Sequence, residues 1–470
     1  MVFSSLPFLF IFLPLCLLLY FLAPDLRRKN TVLVVMSVLF YASGEPVYVL
    51  LLVLCAFIGW LGGLAIEYCK EHRPERVNAV LWITAVLSLS FLFVFKYLDF
   101  VTENLNLLPF VNIKPVGLTL PIGISFYTFQ TLSYDIDLAR GEARVQRSFK
   151  DFLLFVSLFP QLIAGPILRY TDIQEQLADR RTTLSGFVDG ITRFMTGCGK
   201  KVLLANAMGE LIGIFMGGSI GANSSVLGVW LAVAAFTLQI YFDFSGYSDM
   251  AIGLGKMFGF EYCENFNHPY IARSVTDFWR RWHISLSSFF RDYVYIPLGG
   301  NRRHQMLNLF AVWALTGLWH GSSWNFVLWG LYYFLFLSLE KFVFRRKLEK
   351  IPVLSNVVTM LIVMVGWAIF YFEDIGQCLS ALGIMFGFGG NPLWAATLTT
   401  PLVNNLLLLL AAAVCCLPIG TPVKRFMDKL RENAPFGWFL LTGGYQLGML
   451  FLCVASLVSS SYNPFLYFRF

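Results

Sequence analysis

Charge is what this 470-residue chain has least of. Asp, Glu, Lys and Arg make up 13% of it and hydrophobic residues 57%, with a mean hydropathy of +0.67. Soluble domains carry about 25% charged residues, so this composition excludes a soluble globular protein. The net charge of +7 is no sign of nucleic-acid binding, because the basic residues cluster in loops beside apolar runs. Histidine is scarce, at five residues. Gly-rich phosphate loops, His-Glu-x-x-His zinc motifs and His-x-x-x-Asp pairs are missing. None of the nine cysteines forms a Cys-x-x-Cys, and most lie in apolar runs, where they read as small buried hydrophobes rather than metal ligands or disulfides. There is no repeat of fixed period and no low-complexity linker. What is present is a series of apolar segments.

Residues 3–22 are apolar, with no Lys or Arg before them and no small-residue cleavage site after, so they read as a span rather than a signal peptide. Arg27, Arg28 and Lys29 follow, which places the N-terminus outside and this loop in the cytoplasm. Residues 31–43 cross back to a link without Lys or Arg. Residues 47–66 return to a loop bearing Lys70, Arg73 and Arg76, and 78–95 cross again. Residues 116–132, with Pro121 and Gly123, and 152–168, with Pro160, Gly165 and Pro166, are apolar but interrupted, as kinked or re-entrant segments are. Residues 202–216, 226–242, 357–372, 402–417 and 438–458 complete roughly ten to twelve transmembrane or re-entrant helices at about 20 residues per crossing. The fold class expected is an all-α polytopic membrane protein.

One polar interval, residues 245–305, breaks the pattern and holds His268, His283 and His304. Its basic content, with Lys341, Arg345, Arg346, Lys347 and Lys350 beyond it, argues for the cytoplasmic side. Ser274-Val-Thr-Asp277 has the form of a capping box opening a helix through about Tyr293. At roughly 100° per residue, Trp279 and Trp282 fall on an apolar arc, and Arg280, His283 and Arg291 on a polar stripe. Such a helix suits an interfacial anchor, an entrance for an anionic, phosphate-bearing cosubstrate, or both. The stretch 243–249, with Asp243, Ser245 and Asp249, reads as the loop ending one span. Its carboxylates suit orienting a histidine or a hydroxyl, and equally plain capping.

The most informative residue is His320. Residues 306–319 and 324–339 carry no charge, and each run is short for a full crossing. The His-Gly-Ser-Ser break between them is therefore expected at membrane depth, where an ionisable side chain is a functional candidate. Three roles are open to it: a general base, a buried histidine fixing the break, and a proton relay in a transporter.

Several stretches together resemble the bacterial membrane-bound O-acyltransferases, in the alginate O-acetyltransferase branch. They are Leu120-Pro-Ile-Gly-Ile-Ser-Phe-Tyr127, Phe159-Pro-Gln-Leu-Ile-Ala-Gly-Pro166, Tyr241-Phe-Asp-Phe-Ser-Gly-Tyr-Ser-Asp-Met-Ala-Ile-Gly253 and Glu264-Asn-Phe. Asp277-Phe-Trp-Arg-Arg-Trp-His-Ile-Ser-Leu-Ser287, Arg291-Asp-Tyr, Leu298-Gly-Gly-Asn-Arg302, Gly317-Leu-Trp-His-Gly321 and the closing Asn463-Pro-Phe-Leu-Tyr-Phe-Arg-Phe470 continue the series. The resemblance implies one such domain over residues 1–470, folded around a central funnel or tunnel, with 245–305 as its cytoplasmic-side helical segment. It implies that His320 is catalytic and that His283 faces the tunnel. The donor-binding or tunnel-lining set would be Arg280, Arg281, Arg291, Trp279, Trp282, Trp319, Asp243 and Ser245. No bound cofactor or metal is implied. The donor would be cytoplasmic acetyl-CoA, and an extracytoplasmic esterase-like partner would pass the acetyl group to an exported polysaccharide. Two alternatives stand beside this: D-alanyl transfer to teichoic acid from an acyl-carrier protein, and a transporter of polysaccharide precursors. The location expected is the cell membrane, among lipid, in several passes.

Overall fold

The computed structural model describes residues 2–163, 165–218, 220–221, 223–344, 351–459 and 465–466. Arg345, Arg346, Lys347 and Lys350 lie outside them, as do Ala164, Asn463, Pro464 and residues 467–470 of the motifs above. Among the described residues every regular element is helical. Hydrocarbon demands this, because only a helix satisfies all its backbone groups within one segment, short of a closed barrel. The chain is an all-helical polytopic membrane protein. Among the described residues seven helices are long and apolar enough to cross: Val49–His72, Pro74–Leu105, Val226–Met257, Trp324–Val343, Pro352–Tyr371, Ala396–Cys415 and Pro435–Ser459. Phe8–Leu22 and Ile375–Met385 are shorter apolar helices. Trp82, Leu407 and Phe451 stand exposed on their spans, as side chains facing lipid do.

The chain packs as two compact units. The first comprises Met1–Phe194 and Tyr247–Cys263. At its centre is helix Ile124–Arg140, buried along almost its whole length. Helix Val49–His72 can approach it closely because a Cβ on Gly63 would lie 2.4 Å from the Tyr134 ring. The interrupted segments appear where the sequence places them. Residues 111–121 have no regular structure before Gly123, at φ +78°, opens the central helix. Helices Phe149–Ser157 and Phe159–Leu162 part at Leu158, ahead of Pro160.

The second unit comprises Met195–Gly246 and Glu264–Phe470. Helices Gln305–His320 and Trp324–Leu339 form an antiparallel hairpin joined by residues 321–323. A Cβ on Gly317 would lie 2.5 Å from the Phe326 carbonyl oxygen, and one on Gly330 2.4 Å from that of Trp313. The His-Gly-Ser-Ser break therefore ends two antiparallel helices and does not interrupt a single span. The second helix is long enough to cross by itself, since Trp324–Val343 is one of the seven.

Two further local expectations give way to tertiary structure. Residues 243–249 are not a loop but the interior of helix Val226–Met257. Their charges do not stop the helix because each is paired: Asp243 with Lys201 at 2.8 Å in the second unit, Asp249 with Arg193 at 2.6 Å in the first. The helix opened by Ser274, whose side chain does accept from Asp277 N, runs only from Val275 to Arg281. A second helix, Ile284–Phe290, starts after His283 at φ +46°. Because the hairpin admits no side chain at its crossing, Gly330→Val should cost about 1–3 kcal/mol. That loss would show as a lower thermal midpoint of the detergent-solubilised protein and lower membrane abundance.

Candidate active site

His320 closes the last turn of helix Gln305–His320 and is 8% exposed. Gly321 follows because a Cβ there would lie 2.1 Å from the Phe326 ring. Aromatic rings hold the imidazole on several sides: Trp329 at 4.9 Å, Phe370 at 5.3 Å and Trp319 at 4.8 Å between centroids, each nearly edge-on. These rings belong to a larger network. Trp329 touches Trp279, Trp313 and Trp367, and Trp367 touches Trp282. Six of the chain's twelve tryptophans are thus gathered around one histidine. Such rings fix an imidazole by shape while leaving its nitrogens to other partners.

His283 owes its place to Asn265. The backbone N–H of Ile284 donates to the Asn265 carbonyl at 3.0 Å, and that of Ser285 to Asn265 Oδ1 at 3.2 Å. These bonds replace the ones a continuing helix would make, and the chain turns at His283. Asn265 Oδ1 also accepts from Ser285 Oγ at 2.9 Å and lies 3.1 Å from His283 Nδ1. With an accepting oxygen opposite it, Nδ1 carries the hydrogen, and Nε2 keeps its lone pair. That nitrogen is buried and has no hydrogen-bond partner among the described residues. His283 lies outside the seven candidate spans, and burial pushes its pKa down to about 3. Its ring is 5.8 Å from that of Trp319, which also touches His320. The fold therefore brings both predicted histidines onto one indole.

A narrow cavity of about 20 Å³, little more than the room of one water, opens beside His320. Asp243, Phe244, Trp282, Trp367 and Leu466 share its wall with the histidine. The Asp243 carboxylate is balanced by Lys201, both nearly fully buried, and accepts from Leu466 N at 2.9 Å. Lys201 Nζ also donates to Asn206 Oδ1 at 2.7 Å. Ser245 is buried but does not line the cavity.

The basic stripe does not form. Arg280 and Arg291 are exposed while His283 is 1% exposed, because the turn at His283 rotates the second short helix out of register with the first. Arg291 pairs with Asp292 at 2.6 Å, and Arg281 with Asp277 at 2.9 Å and the Asn267 carbonyl. Trp279 packs into the indole network, on Trp313 and Tyr333, and not on the cavity wall. Lys201, Asn265, Trp329, Trp367, Phe370 and Leu466 were not singled out from sequence. Three signals were available: Lys201 is a charge at the head of an apolar run, and Asn265 and Leu466 lie in the stretches Glu264-Asn-Phe and Asn463–Phe470.

Residues 9–373 match the membrane-bound O-acyltransferase family. The chain belongs to that family. It is 39% identical to the probable alginate O-acetylase AlgI of Azotobacter vinelandii over the whole of both chains. It is 33% identical to the peptidoglycan O-acetyltransferase of Helicobacter pylori, over 83% of this chain and 80% of that one. The teichoic acid D-alanyltransferase of Bacillus subtilis is more distant, at 27% over 67% and 84%. A membrane-bound O-acyltransferase is an enzyme of acyl transfer, and among the described residues the one imidazole on the cavity wall is that of His320.

Two outcomes follow from this geometry. Removing one member of the Lys201–Asp243 pair leaves a buried charge uncompensated, at a cost of about 3–5 kcal/mol. Lys201→Met should therefore lower the thermal midpoint far more than the double change Lys201→Met/Asp243→Leu. His283 stays uncharged in the folded state until about pH 3, whereas an unfolded chain takes up that proton near pH 6.5. Stability from this group is full above pH 6.5 and is lost as pH falls, by up to about 1.4 kcal/mol per unit. Between pH 7 and 4.5 the melting midpoint should fall more steeply with pH for wild type than for His283→Gln.

Proposed function

We propose that this enzyme moves an acetyl group from a cytoplasmic thioester, acetyl-CoA, to hydroxyls of an exported polysaccharide, with His320 as its general base. The observation that carries the proposal is a buried imidazole on the wall of a cavity that also bears a neutralised carboxylate, in a chain of this family. Similarity over full length to an alginate O-acetylase, and at 33% identity to a peptidoglycan O-acetyltransferase, favours acetyl as the group and a polysaccharide as the acceptor.

The chemistry is acyl transfer by general-base catalysis. As the hydroxyl oxygen attacks the thioester carbonyl carbon, His320 takes the hydroxyl proton. The C–S bond breaks, the new C–O ester bond forms, and the departing sulfur receives the proton back from His320. The indoles around His320 exclude water, which limits loss of the acyl group to hydrolysis. His283, with a lone pair on Nε2 and a clamped Nδ1, is suited to orient the donor beside Trp319. The charged head of a CoA donor would stay in the cytoplasm, and the pattern of Arg27, Arg28, Lys29, Lys70, Arg73 and Arg76 supports an extracytoplasmic N-terminus. Final delivery to a polymer outside would call for an extracytoplasmic esterase-like partner.

Purified protein in lipid nanodiscs supplied with labelled acetyl-CoA should release or transfer acetyl, and His320→Ala at equal abundance should lose at least 100-fold. Full turnover by the variant would remove His320 from the chemistry. Turnover with a D-alanyl carrier protein and none with acetyl-CoA would replace the donor.

A further inference from the structure

The cavity beside His320 has one wall unlike the others. Phe244, Trp282, Trp367 and Phe370 belong to helices, or to the junction of two, and are braced ring against ring, with Trp282 4.8 Å from Trp367. Leu466 comes instead from the last residues of the chain. It is buried, and its backbone N–H is fixed by Asp243 Oδ2 at 2.9 Å, with Asp243 held in turn by Lys201 at 2.8 Å. The isobutyl group is thereby set against a space of about 20 Å³. Little more than one water fits such a volume, and so does the methyl of an acetyl group. A propyl tail would have to displace one of the side chains that line it.

We propose that Leu466 is the residue that limits the acyl group to two carbons, as the wall of the acyl site beside His320. This rests on the assignment of His320 as the centre of acyl transfer. Asp243 and Lys201 are then positioning residues, since the carboxylate holds the backbone of Leu466 and the ammonium makes that buried carboxylate tenable. Leu466, which the reaction itself leaves unused, gains a role in selecting the donor.

The test uses the full chain in nanodiscs with acetyl-, propionyl- and butyryl-CoA, reading kcat/KM for loss of the thioester. Each added methylene is worth about 10-fold or more where a pocket is tight, so wild type should prefer acetyl to butyryl by at least about 100-fold. Leu466→Ala should narrow that ratio at least tenfold, and Leu466→Phe should depress acetyl turnover by filling the cavity. Should Leu466→Ala not fold, Leu466→Val and Leu466→Met replace it, and the ratio should follow side-chain volume. An unchanged ratio in a folded Leu466 variant, with His320→Ala inactive on every donor, overturns the role of Leu466 and leaves that of His320 intact. A wild type silent toward all three donors, or a fully active His320→Ala, overturns the acyl-transfer assignment and this proposal with it.

Discussion

A charge inside a membrane protein has almost no water to solvate it, and the Lys201–Asp243 pair is where this chain answers that constraint. Each partner alone would be costly to bury; together, 2.8 Å apart, they let helix Val226–Met257 run on through a stretch whose composition reads as a loop. Three features depend on the pair. The helix continues, a carboxylate reaches the cavity wall near His320, and that carboxylate keeps an oxygen for the backbone of Leu466.

Around this polar point the site is built of rings. His320 is placed by Trp319, Trp329 and Phe370, and His283 by Asn265 at Nδ1 and by edge-to-face contacts with Phe244 and Trp319. Rings pack around the first, and the second carries a hydrogen bond that fixes its tautomer and leaves Nε2 as an acceptor. An acyl-transfer site needs both properties: a rigid, water-poor frame, and imidazoles whose lone pairs point to known places.

Much of this was legible from local sequence. The apolar runs gave the helical membrane fold, Pro160 and Gly123 marked true interruptions, and the uncharged runs on both sides of His320 located a helix end. Ser274 does cap a helix as its spacing to Asp277 suggests. Periodicity failed for Arg280, His283 and Arg291, because a projected stripe assumes one continuous helix. Nothing within the 274–293 window shows that Asn265 will supply the hydrogen bonds that stop it. The same blindness made 243–249 look like a loop, since the partners of its carboxylates are not neighbours in sequence.

The sequence by itself determined the solvent this protein lives in, the helices that follow from it, and the presence of a histidine where two helices meet. These are sums over neighbouring residues, and hydropathy and helix punctuation are local quantities. Only the tertiary structure decided which polar groups meet: His283 with Asn265, 18 residues before it, and Asp243 with Leu466, 223 residues beyond. Such pairs form because burial removes water and leaves each polar atom to find a partner wherever packing brings one. That outcome is settled by how the helices close on one another, and no stretch of chain contains it.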